Sequence, residues 1–531
     1  MHINRRMFLG GTSMTLAALA AGCADSTTSP DSPSASGTTS SAPLGPLAFD
    51  ADKYTEKTVT VATDTGQKEV KYRFYGPLTY VTKPVNADYQ SLVISVPTSI
   101  DGQAVDASRA PIVFANAVGG YLPASVKDAT GVGEASMGMG AMPGGQTPPS
   151  GAPPSSGEVA SGGNAMLDAM GKMVNLAQLA VAAGYVAVEP GCRGRTLVND
   201  AGTYYGTAPA AIVDLKAAVR YLRANAGHIP GNTDRIISTG TSAGGALSAL
   251  LGASGDSPLY HKYLDDIGAA EASDAIFASG DWCPITDLGH ADGAYEWNWG
   301  TNPTQTGAVD QALSQELRGL FVDYQRSLKL NGLNEFGPLT AENYADYLLK
   351  TYLQPSATRY LTALSDTDRA TYLRDNPTIR WKSGAATFSW QDFLTHVGNR
   401  KKSLPAFDAF DLSTGENNLF GTGTTKARHF TDYSAAHSTS GANRLDADIA
   451  DLLVLMNPMH FIAERNPQRA KHWWIRLGAK DSDTSLTVSS NLAASLAGLG
   501  DDVNHLMYWD EGHGANTDAA DFLGWVKKIS G

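Results

Sequence analysis

The chain has 531 residues, a formal net charge of −13 at pH 7 and three cysteines. The negative charge and the lack of a basic cluster argue against nucleic acid or an anionic membrane surface as the partner. Apart from Cys23 the cysteines are Cys192 and Cys283, which make no disulfide framework and lack the short spacing of a zinc site. We expect no metal and no cofactor.

Residues 1–23 are predicted to be an export signal. Arg5 and Arg6 precede an apolar segment too short to remain in a bilayer as an anchor, which is typical of a twin-arginine signal. Cys23 follows small residues, as at a lipoprotein cleavage site, so we expect it to be acylated and to carry a lipid anchor. Cleavage to a soluble periplasmic or secreted protein is the alternative. Residues 24–46 are rich in Ser, Thr and Pro and are predicted to be a flexible tether.

Beyond the tether, short apolar segments alternate with helical patterns such as Ala211–Asn225. Residues 54–75 alternate apolar and polar side chains, which predicts an antiparallel strand pair. The later segments are apolar on both faces, as a parallel sheet covered by helices requires. These segments are Leu92–Val96, Ile112–Ala115, Tyr185–Val188, Ile236–Ser238, Ala275–Ala278, Trp473–Leu477 and Leu506–Trp509. Their order predicts an α/β-hydrolase fold.

Two segments interrupt this alternation. Met137–Gly163 is rich in Gly, Pro, Ser and Met and is predicted to be a mobile surface loop. Residues 285–455 are far longer than an ordinary connection and contain helical patterns such as Gln311–Leu328. We interpret them as a mostly helical lid, inserted between a first core part at 47–284 and a second at 456–531. Such a lid would lie over the carboxyl ends of the strands, where ligands bind in α/β sheets.

The most informative motif is Gly240-Thr241-Ser242-Ala243-Gly244, which lies between a β-branched segment and an Ala/Leu-rich helical pattern. In this strand–turn–helix setting a serine is held at the tip of a tight turn. Its neighbours must be small because the strand and the helix pass close together. We predict Ser242 to be the nucleophile of a serine hydrolase. A Gly-rich connection without chemistry is the alternative.

A nucleophilic serine needs a histidine base and an acid that orients the histidine, each in a loop after a later strand. His513 lies between two glycines just after the last predicted strand, so we predict it to be the base. Asp481 and Asp483 both follow the preceding strand. We prefer Asp481 as the orienting acid and keep Asp483 as the alternative.

Two backbone amides are expected to stabilise the oxyanion that forms during acyl transfer. One belongs to Ala243, next to the nucleophile. The other comes from the loop after the strand that ends at Ala115, where Gly119 and Gly120 take the place of the HGGG-type loop of esterases. Either glycine can be the donor, and a simple turn is the alternative. Together these features predict hydrolysis through an acyl-enzyme.

Further motifs lie in and beside the predicted lid. They are Cys283-Pro284-Ile285-Thr286-Asp287-Leu288 with Ala294-Tyr295-Glu296-Trp297, Pro405-Ala406-Phe407-Asp408, Glu416-Asn417-Asn418-Leu419-Phe420-Gly421 and Asp481-Ser482-Asp483-Thr484. Together with the extended serine motif Gly240–Ser248, they resemble the bacterial tannases (tannin acyl hydrolases) over most of the chain after the tether. The resemblance implies hydrolysis of the galloyl esters of tannins and simple gallates to gallic acid and an alcohol.

The resemblance also implies which residues contact the substrate. In that family the first aspartate of the Asp-x-Asp pair orients the histidine. The second contacts the ring hydroxyls together with a lysine and a glutamate from the lid. Carried over by motif, the substrate-binding residues are Asp483, Glu416 and Lys402, with Lys401 as the alternative lysine. Carboxylates suit phenolic hydroxyls as acceptors, and a lysine can donate to a phenol oxygen.

Other functions remain open at this point. A feruloyl esterase or another aromatic-acid carboxylesterase would share the triad but bind a different ring. A serine peptidase is disfavoured because the sequence shows no propeller-like repeat. A binding lipoprotein without catalysis is disfavoured because Ser242 and His513 are both present. The sequence does not determine the alcohol part of the ester, the oligomeric state, or whether Cys192 and Cys283 form a disulfide.

Overall fold

The computed structural model of the protein describes residues 45–137, 174–441 and 443–531. The predicted export signal, nearly all of the tether, and all but the first residue of the loop predicted at Met137–Gly163 lie outside the described residues. Within the described ranges, no helix is both long enough and apolar enough to cross a membrane.

The core of the molecule is a ten-stranded sheet. The strands are β1 (Thr55–Thr63), β2 (Gly66–Thr79), β3 (Ser91–Ile100), β4 (Gln103–Ala104), β5 (Pro111–Ala115), β6 (Ala124–Ser125), β7 (Ser136–Met137), β8 (Val186–Pro190), β9 (Asn232–Thr241), β10 (Ala278–Trp282), β11 (Asn331–Gly332), β12 (Gly337–Pro338), β13 (Arg380–Lys382), β14 (Ala385–Thr387), β15 (His472–Gly478) and β16 (Asp502–Tyr508).

The order of the strands in the sheet is β1-β2-β3-β8-β5-β9-β10-β15-β16, and β4 pairs with β3. The strand directions agree with the predicted mostly parallel sheet. β1 and β2 form the antiparallel pair that the alternating pattern predicts, with Val59 opposite Val70. β3 is antiparallel to both of its neighbours β2 and β8, and the remaining neighbours from β8 to β16 are parallel. Parallel strands bring their carboxyl ends to one edge of the sheet, so loops that are far apart in sequence meet there.

One strand begins later than the sequence predicts. The apolar segment Ala275–Ala278 favoured a strand there, but β10 runs from Ala278 to Trp282 and includes Ser279 and Asp281, both fully buried. Oγ of Ser279 donates a hydrogen bond of 2.6 Å to Asp281. A polar pair that is hydrogen-bonded internally can be buried, so hydrophobicity alone misplaced this strand.

Helices pack against the sheet and are the main regular structure of the insertion. They are Leu176–Ala182, Ala210–Ala224, Ala243–Ala253, His261–Asp266, Leu288–Trp299, Gln311–Leu328, Tyr344–Leu348, Gln354–Ala363, Asp366–Asp375, Trp390–Val397, Gly415–Leu419, Asp432–Ala436, Ile449–Leu455, Pro458–Ala463, Leu486–Gly498 and Ala519–Ser530, with 3-10 turns at Gly45–Leu47 and Pro258–Tyr260 and a π segment at Leu349–Leu353. The helix predicted at Ala211–Asn225 is thus present with its ends shifted by one residue, and its apolar side chains are buried.

The insertion between β10 and β15 is mostly helical and packs directly on the core. The hydroxyl of Tyr344 donates to Asn491 at 2.8 Å, which joins the insertion to the helix Leu486–Gly498. The ring of Phe388 lies 5.1 Å from that of Trp509, next to the end of β16. The insertion therefore shares buried contacts with the end of the sheet where the predicted site lies. The domain limits given above remain a prediction.

Candidate active site

Ser242 occupies the turn between β9 and the helix Ala243–Ala253. Its backbone has φ 60° and ψ −122°, a conformation that is strained for a residue with a side chain. Its amide donates to the carbonyl of Trp282 at 2.9 Å, which fixes the turn against the end of β10. This is the strained strand-to-helix turn that the motif predicts.

The glycines of the motif are needed because backbone passes close to them. A Cβ added to Gly244 would lie 2.6 Å from Oδ1 of Asn116 and 2.7 Å from the carbonyl of Val118. A Cβ on Gly245 would lie 2.5 Å from the carbonyl of Trp282. The turn therefore fits tightly between the loop after β5 and the end of β10 only with hydrogen at these positions.

Asn116 connects the loop after β5 to the serine turn. Its side-chain amide donates to the carbonyls of Thr239 at 3.0 Å and Gly244 at 3.1 Å, and its oxygen accepts from the amide of Val118 at 3.3 Å. The sequence predicts no role for Asn116, since nothing in the sequence shows which carbonyls its side chain contacts. The loop is thereby held beside the nucleophile.

The predicted oxyanion donors belong to the two segments that Asn116 joins, the serine turn and the loop after β5. Ala243 provides the first amide of the helix that follows Ser242. Gly119 is buried and Gly120 is exposed, with φ 54°. In the part of the chain that the structure describes, neither of their amides donates to a protein acceptor. Both are therefore available as the second donor, and the choice between them stays open.

Asp481, and not Asp483, is hydrogen-bonded to His513. Oδ2 of Asp481 lies 2.8 Å from Nδ1 of His513, and its other oxygen accepts from the amide of Asp483 at 2.9 Å. The two loops also contact each other through their backbones, because the amide of Lys480 donates to the carbonyl of Glu511 at 2.9 Å. The geometry thus favours the first of the two alternatives from the sequence, with both oxygens of a fully buried carboxylate in use.

The pKa of His513 is raised well above its usual value. Burial opposes a charged imidazole, but the carboxylate of Asp481, the thiol of Cys283 and the carboxylate of Asp483 together outweigh it. Among the described residues no hydrogen bond joins Oγ of Ser242 to Nε2 of His513. Such bonds are often long without substrate and shorten when substrate binds.

The predicted ring-binding residues form two ion pairs near His513. Asp483 lies 2.8 Å from Nζ of Lys401, and Glu416 lies 3.8 Å from Nζ of Lys402. The side chain of Lys401 is 56% exposed, whereas that of Lys402 is 20% exposed and its Nζ sits 3.6 Å above the ring of Phe407. Lys402 is therefore the more enclosed of the two candidate lysines.

The pKa shifts of Asp483 and Tyr121 show which charged groups lie near each of the two predicted ring-binding carboxylates. Although Asp483 is desolvated, His513 and the two lysines lower the pKa of its carboxyl, so it is ionised at neutral pH. Burial raises the pKa of Tyr121, and the charge of Glu416 adds to that effect. Asp483 thus lies toward the histidine and Glu416 toward the loop that carries Gly119 and Gly120.

Tyr295 and Arg400 hold the segment that contains Lys401 and Lys402, here called the lysine segment. The sequence predicts no role for either residue. The hydroxyl of Tyr295 donates to the carbonyl of Ser482 at 2.6 Å and accepts from the amide of Lys402 at 3.1 Å. Arg400 is fully buried, pairs with Glu296 and donates to the carbonyl of Lys402 at 2.9 Å. Tyr295 lies in one of the motifs quoted above, which was the only sequence signal for it.

A second Ser–His–Asp arrangement lies within the insertion. Nδ1 of His429 lies 2.7 Å from Asp408, and its Nε2 lies 2.9 Å from Oγ of Ser438. Asp408 is saturated by further donors, including the amides of Phe430 and Thr431, so it organises a buried loop. Ser438 follows the end of the helix Asp432–Ala436 and does not have a positive φ. Interatomic distances alone therefore do not distinguish a nucleophile from a structural serine. Of the two serines, Ser242 is the one that lies on a strained strand-to-helix turn.

Comparison with known proteins assigns the chain to a class. The BD-FAE family model matches residues 162–318, which include the serine turn. The native tannin acyl hydrolase of Lactobacillus plantarum is 35% identical over 91% of this chain and 99% of that one, with a TM-score of 0.75. The tannase of Fusobacterium nucleatum is 34% identical over 91% and 99%, with a TM-score of 0.74. A tannin acyl hydrolase in complex with ethyl gallate is 34% identical over 91% and 99%, with a TM-score of 0.75. The search of curated proteins gave no match.

Sheet topology and similarity along nearly the whole chain make the protein a carboxylic ester hydrolase with the α/β-hydrolase fold. This confirms the predicted fold class and the predicted type of enzyme. The chain belongs to the tannin acyl hydrolase family, because the 34% identity to those enzymes extends over 91% of its length.

Proposed function

We propose that the protein is a serine esterase that hydrolyses galloyl esters through an acyl-enzyme and releases gallic acid. The observation that carries the proposal is the 2.8 Å bond between Asp481 and His513 at the edge where Ser242 sits on its strained turn. The two carboxylates and the lysine beside it suit a ring with several hydroxyls. The complexes of related enzymes with ethyl gallate and with 3,4-dihydroxybenzoate support this class of substrate.

In the proposed acylation step, Oγ of Ser242 attacks the ester carbonyl carbon while Nε2 of His513 takes the hydroxyl proton. Asp481 holds Nδ1, which keeps Nε2 free to accept a proton and stabilises the imidazolium that forms. The amides of Ala243 and of Gly119 or Gly120 stabilise the oxyanion. The imidazolium then protonates the departing alcohol, and the galloyl group remains on Ser242.

In the proposed deacylation step, His513 accepts a proton from water, and the resulting hydroxide attacks the galloyl–serine ester. Collapse of the second tetrahedral intermediate returns the proton to Oγ of Ser242 and releases gallic acid. The same amides serve both steps because the oxyanion forms at the same position.

Ring recognition is proposed to use Asp483, Glu416 and Lys402. The carboxylates accept hydrogen bonds from ring hydroxyls, and the ammonium of Lys402 donates to a phenol oxygen. With side chains only 15%, 18% and 20% exposed, these groups would lose hydrogen bonds if a ring with fewer hydroxyls were bound, such as the ferulate ring with its single hydroxyl and its methoxy group. Methyl ferulate should therefore be a poor substrate.

The proposal is tested with Ser242→Ala and methyl gallate as substrate. We expect kcat to fall by about 10⁴-fold or more, because the nucleophile is lost while the fold is kept. The matched control is Ser438→Ala, which removes the serine of the other Ser–His–Asp arrangement and should leave kcat unchanged. Circular dichroism checks folding. Substantial turnover in Ser242→Ala would contradict the proposal, and so would a loss of turnover in Ser438→Ala but not in Ser242→Ala. A preference of the wild type for methyl ferulate over methyl gallate would favour a feruloyl esterase.

A further inference from the structure

Cys283 places a thiol next to the nitrogen that is proposed to act as base. It follows β10 directly, and its Sγ lies 4.0 Å from Nε2 of His513. Both Cys283 and Cys192 are free, buried thiols, so the disulfide left open by the sequence is not formed. Cys283 adopts φ 39°, which is uncommon for a residue with a side chain, and its amide donates to the carbonyl of Arg476 at 2.6 Å. The backbone therefore holds the thiol in a defined position.

The thiol and the imidazole nitrogen have the spacing of two ligands of one soft cation. Zinc binds thiolate sulfur at about 2.3 Å and imidazole nitrogen at about 2.0 to 2.1 Å, so tetrahedral geometry puts the two ligand atoms about 3.6 Å apart. The observed 4.0 Å therefore needs only a small movement of either side chain. Thiolate and imidazole together favour Zn²⁺ or Cd²⁺ over Mg²⁺ or Ca²⁺.

Asp481 orients the ring of His513 but would not itself be a ligand of a cation held by Cys283 and His513. One ligand atom each of Cys283, Asp481 and His513 lie within 4.8 Å of one another. However, Asp481 is bonded to Nδ1, and a cation held between Sγ and Nε2 would lie on the other side of the ring. The carboxylate instead orients the ring, as in the carboxylate–histidine–zinc arrangement of metal sites. Water would fill the remaining positions.

We propose that Cys283 and His513 form an inhibitory binding site for soft divalent cations such as Zn²⁺ and Cd²⁺. When the metal–sulfur bond forms, the thiol proton is released to solvent, and the lone pair of Nε2 is donated to the metal. That lone pair is the one that would accept the proton of Ser242, so the metal-bound enzyme cannot be acylated. The inhibition rests on the proposed function, whereas the binding does not.

Cadmium binding tests the site without any enzymatic turnover. Full-length, chelator-treated Ser242→Ala protein is titrated with CdCl₂, and the ultraviolet absorption of the cadmium–thiolate bond is followed. We expect the absorption to fall when Cys283→Ala is added and to stay the same when Cys192→Ala is added, since Cys192 is fully buried. Cys23 is present in every variant, so its contribution cancels. An absorption that does not fall when Cys283 is replaced would overturn the proposal.

Inhibition is then measured with methyl gallate and ZnCl₂, each variant being compared with its own metal-free rate. We expect inhibition that competes with substrate and is reversed by a chelator. Cys283→Ala should need at least about tenfold more zinc for half inhibition, because the softer of the two ligands is gone. Cys283→Ser serves if the alanine variant fails to fold, and Cys192→Ala should behave like the wild type.

Two results would contradict the inhibitory role: unchanged zinc sensitivity in both Cys283 variants, or equal inhibition by Mg²⁺. If the wild type does not hydrolyse methyl gallate at all, the proposed function fails, and the cadmium absorption still decides whether the metal site exists.

Discussion

At the residue scale, His513 and Asp483 stabilise each other's charged forms. Burial opposes both charges, yet the pKa of His513 is raised, chiefly by Asp481 and with a smaller contribution from Asp483. The pKa of Asp483 is lowered, chiefly by His513 and then by Lys401. The imidazole must be neutral to accept the serine proton, so its pKa sets the acid limb of the pH profile of kcat/KM. The carboxylate that is proposed to bind the ring therefore also influences the proposed base.

Replacing Asp483 by Asn should move that acid limb to lower pH. The substitution removes a negative charge that favours the imidazolium, so the pKa of His513 falls and the neutral ring persists to lower pH. The pH profile of kcat/KM for methyl gallate measures this shift. Asp323→Asn, an exposed control on the helix Gln311–Leu328, should leave the limb in place. A limb that stays fixed or moves upward in Asp483→Asn would contradict the coupling.

Glu416 offers a test of ring recognition at the same scale. Glu416→Gln keeps the size of the side chain and removes its charge, so the ratio of kcat/KM between methyl gallate and methyl 4-hydroxybenzoate should fall by about tenfold or more. Glu464→Gln, an exposed glutamate paired with His460, is the control. Equal losses on both esters would show that Glu416 does not read the hydroxyls.

At the element scale, one hydroxyl connects the loop after β15 to the lysine segment of the insertion. Tyr295, on the helix Leu288–Trp299, bonds to Ser482 on one side and to Lys402 on the other. Arg400 holds the same segment from a buried ion pair with Glu296. The distance between the proposed triad and the ring-binding lysine thus depends on contacts that are themselves buried.

Tyr295→Phe should loosen this connection. It leaves the carbonyl of Ser482 and the amide of Lys402 without a partner, which we expect to lower the free energy of unfolding by about 1–3 kcal/mol and to raise KM for methyl gallate. Urea unfolding and steady-state kinetics measure the two effects. Tyr185→Phe loses a hydroxyl bond to the carbonyl of Leu523 far from the site and should change stability alone. An unchanged KM in Tyr295→Phe would mean that the tyrosine only stabilises the fold.

At the scale of the whole molecule, the sequence of the N-terminal segment carries a prediction about where the enzyme works. We propose that Arg5 and Arg6 direct export and that Cys23 is acylated, with residues 24–46 as the spacer between the lipid and the catalytic body. The support is the sequence pattern itself. A tethered esterase of this kind would meet ester substrates outside the cytoplasm.

Cys23→Ala should move the exported protein from the membrane fraction to the soluble fraction, because the site of lipid attachment is lost. Cell fractionation with detection of the folded body of the protein measures the change. Cys192→Ala, a buried cysteine in the folded body, should remain with the membrane. Cys23→Ala protein that stays in the membrane fraction would contradict the predicted lipid anchor at Cys23. A soluble wild-type protein would contradict it too and would favour the periplasmic or secreted alternative.

Local chemistry is what the sequence by itself determined. The serine turn, the glycines around it and most of the strands follow from neighbouring residues, because tight turns and buried strands need particular residue types at fixed offsets. The fold class followed from the order of these elements. β10 was misplaced because its buried polar pair carries no hydrophobic signal.

Contacts between distant segments were decided only by the tertiary structure. Asp481 and Asp483 are equivalent in sequence, and only the path of their loop brings the first to His513. Cys283 lies 230 residues before His513 but only 4.0 Å from it, since parallel strands gather their carboxyl ends at one edge. Side-chain direction and loop path are set by packing, which no local pattern records.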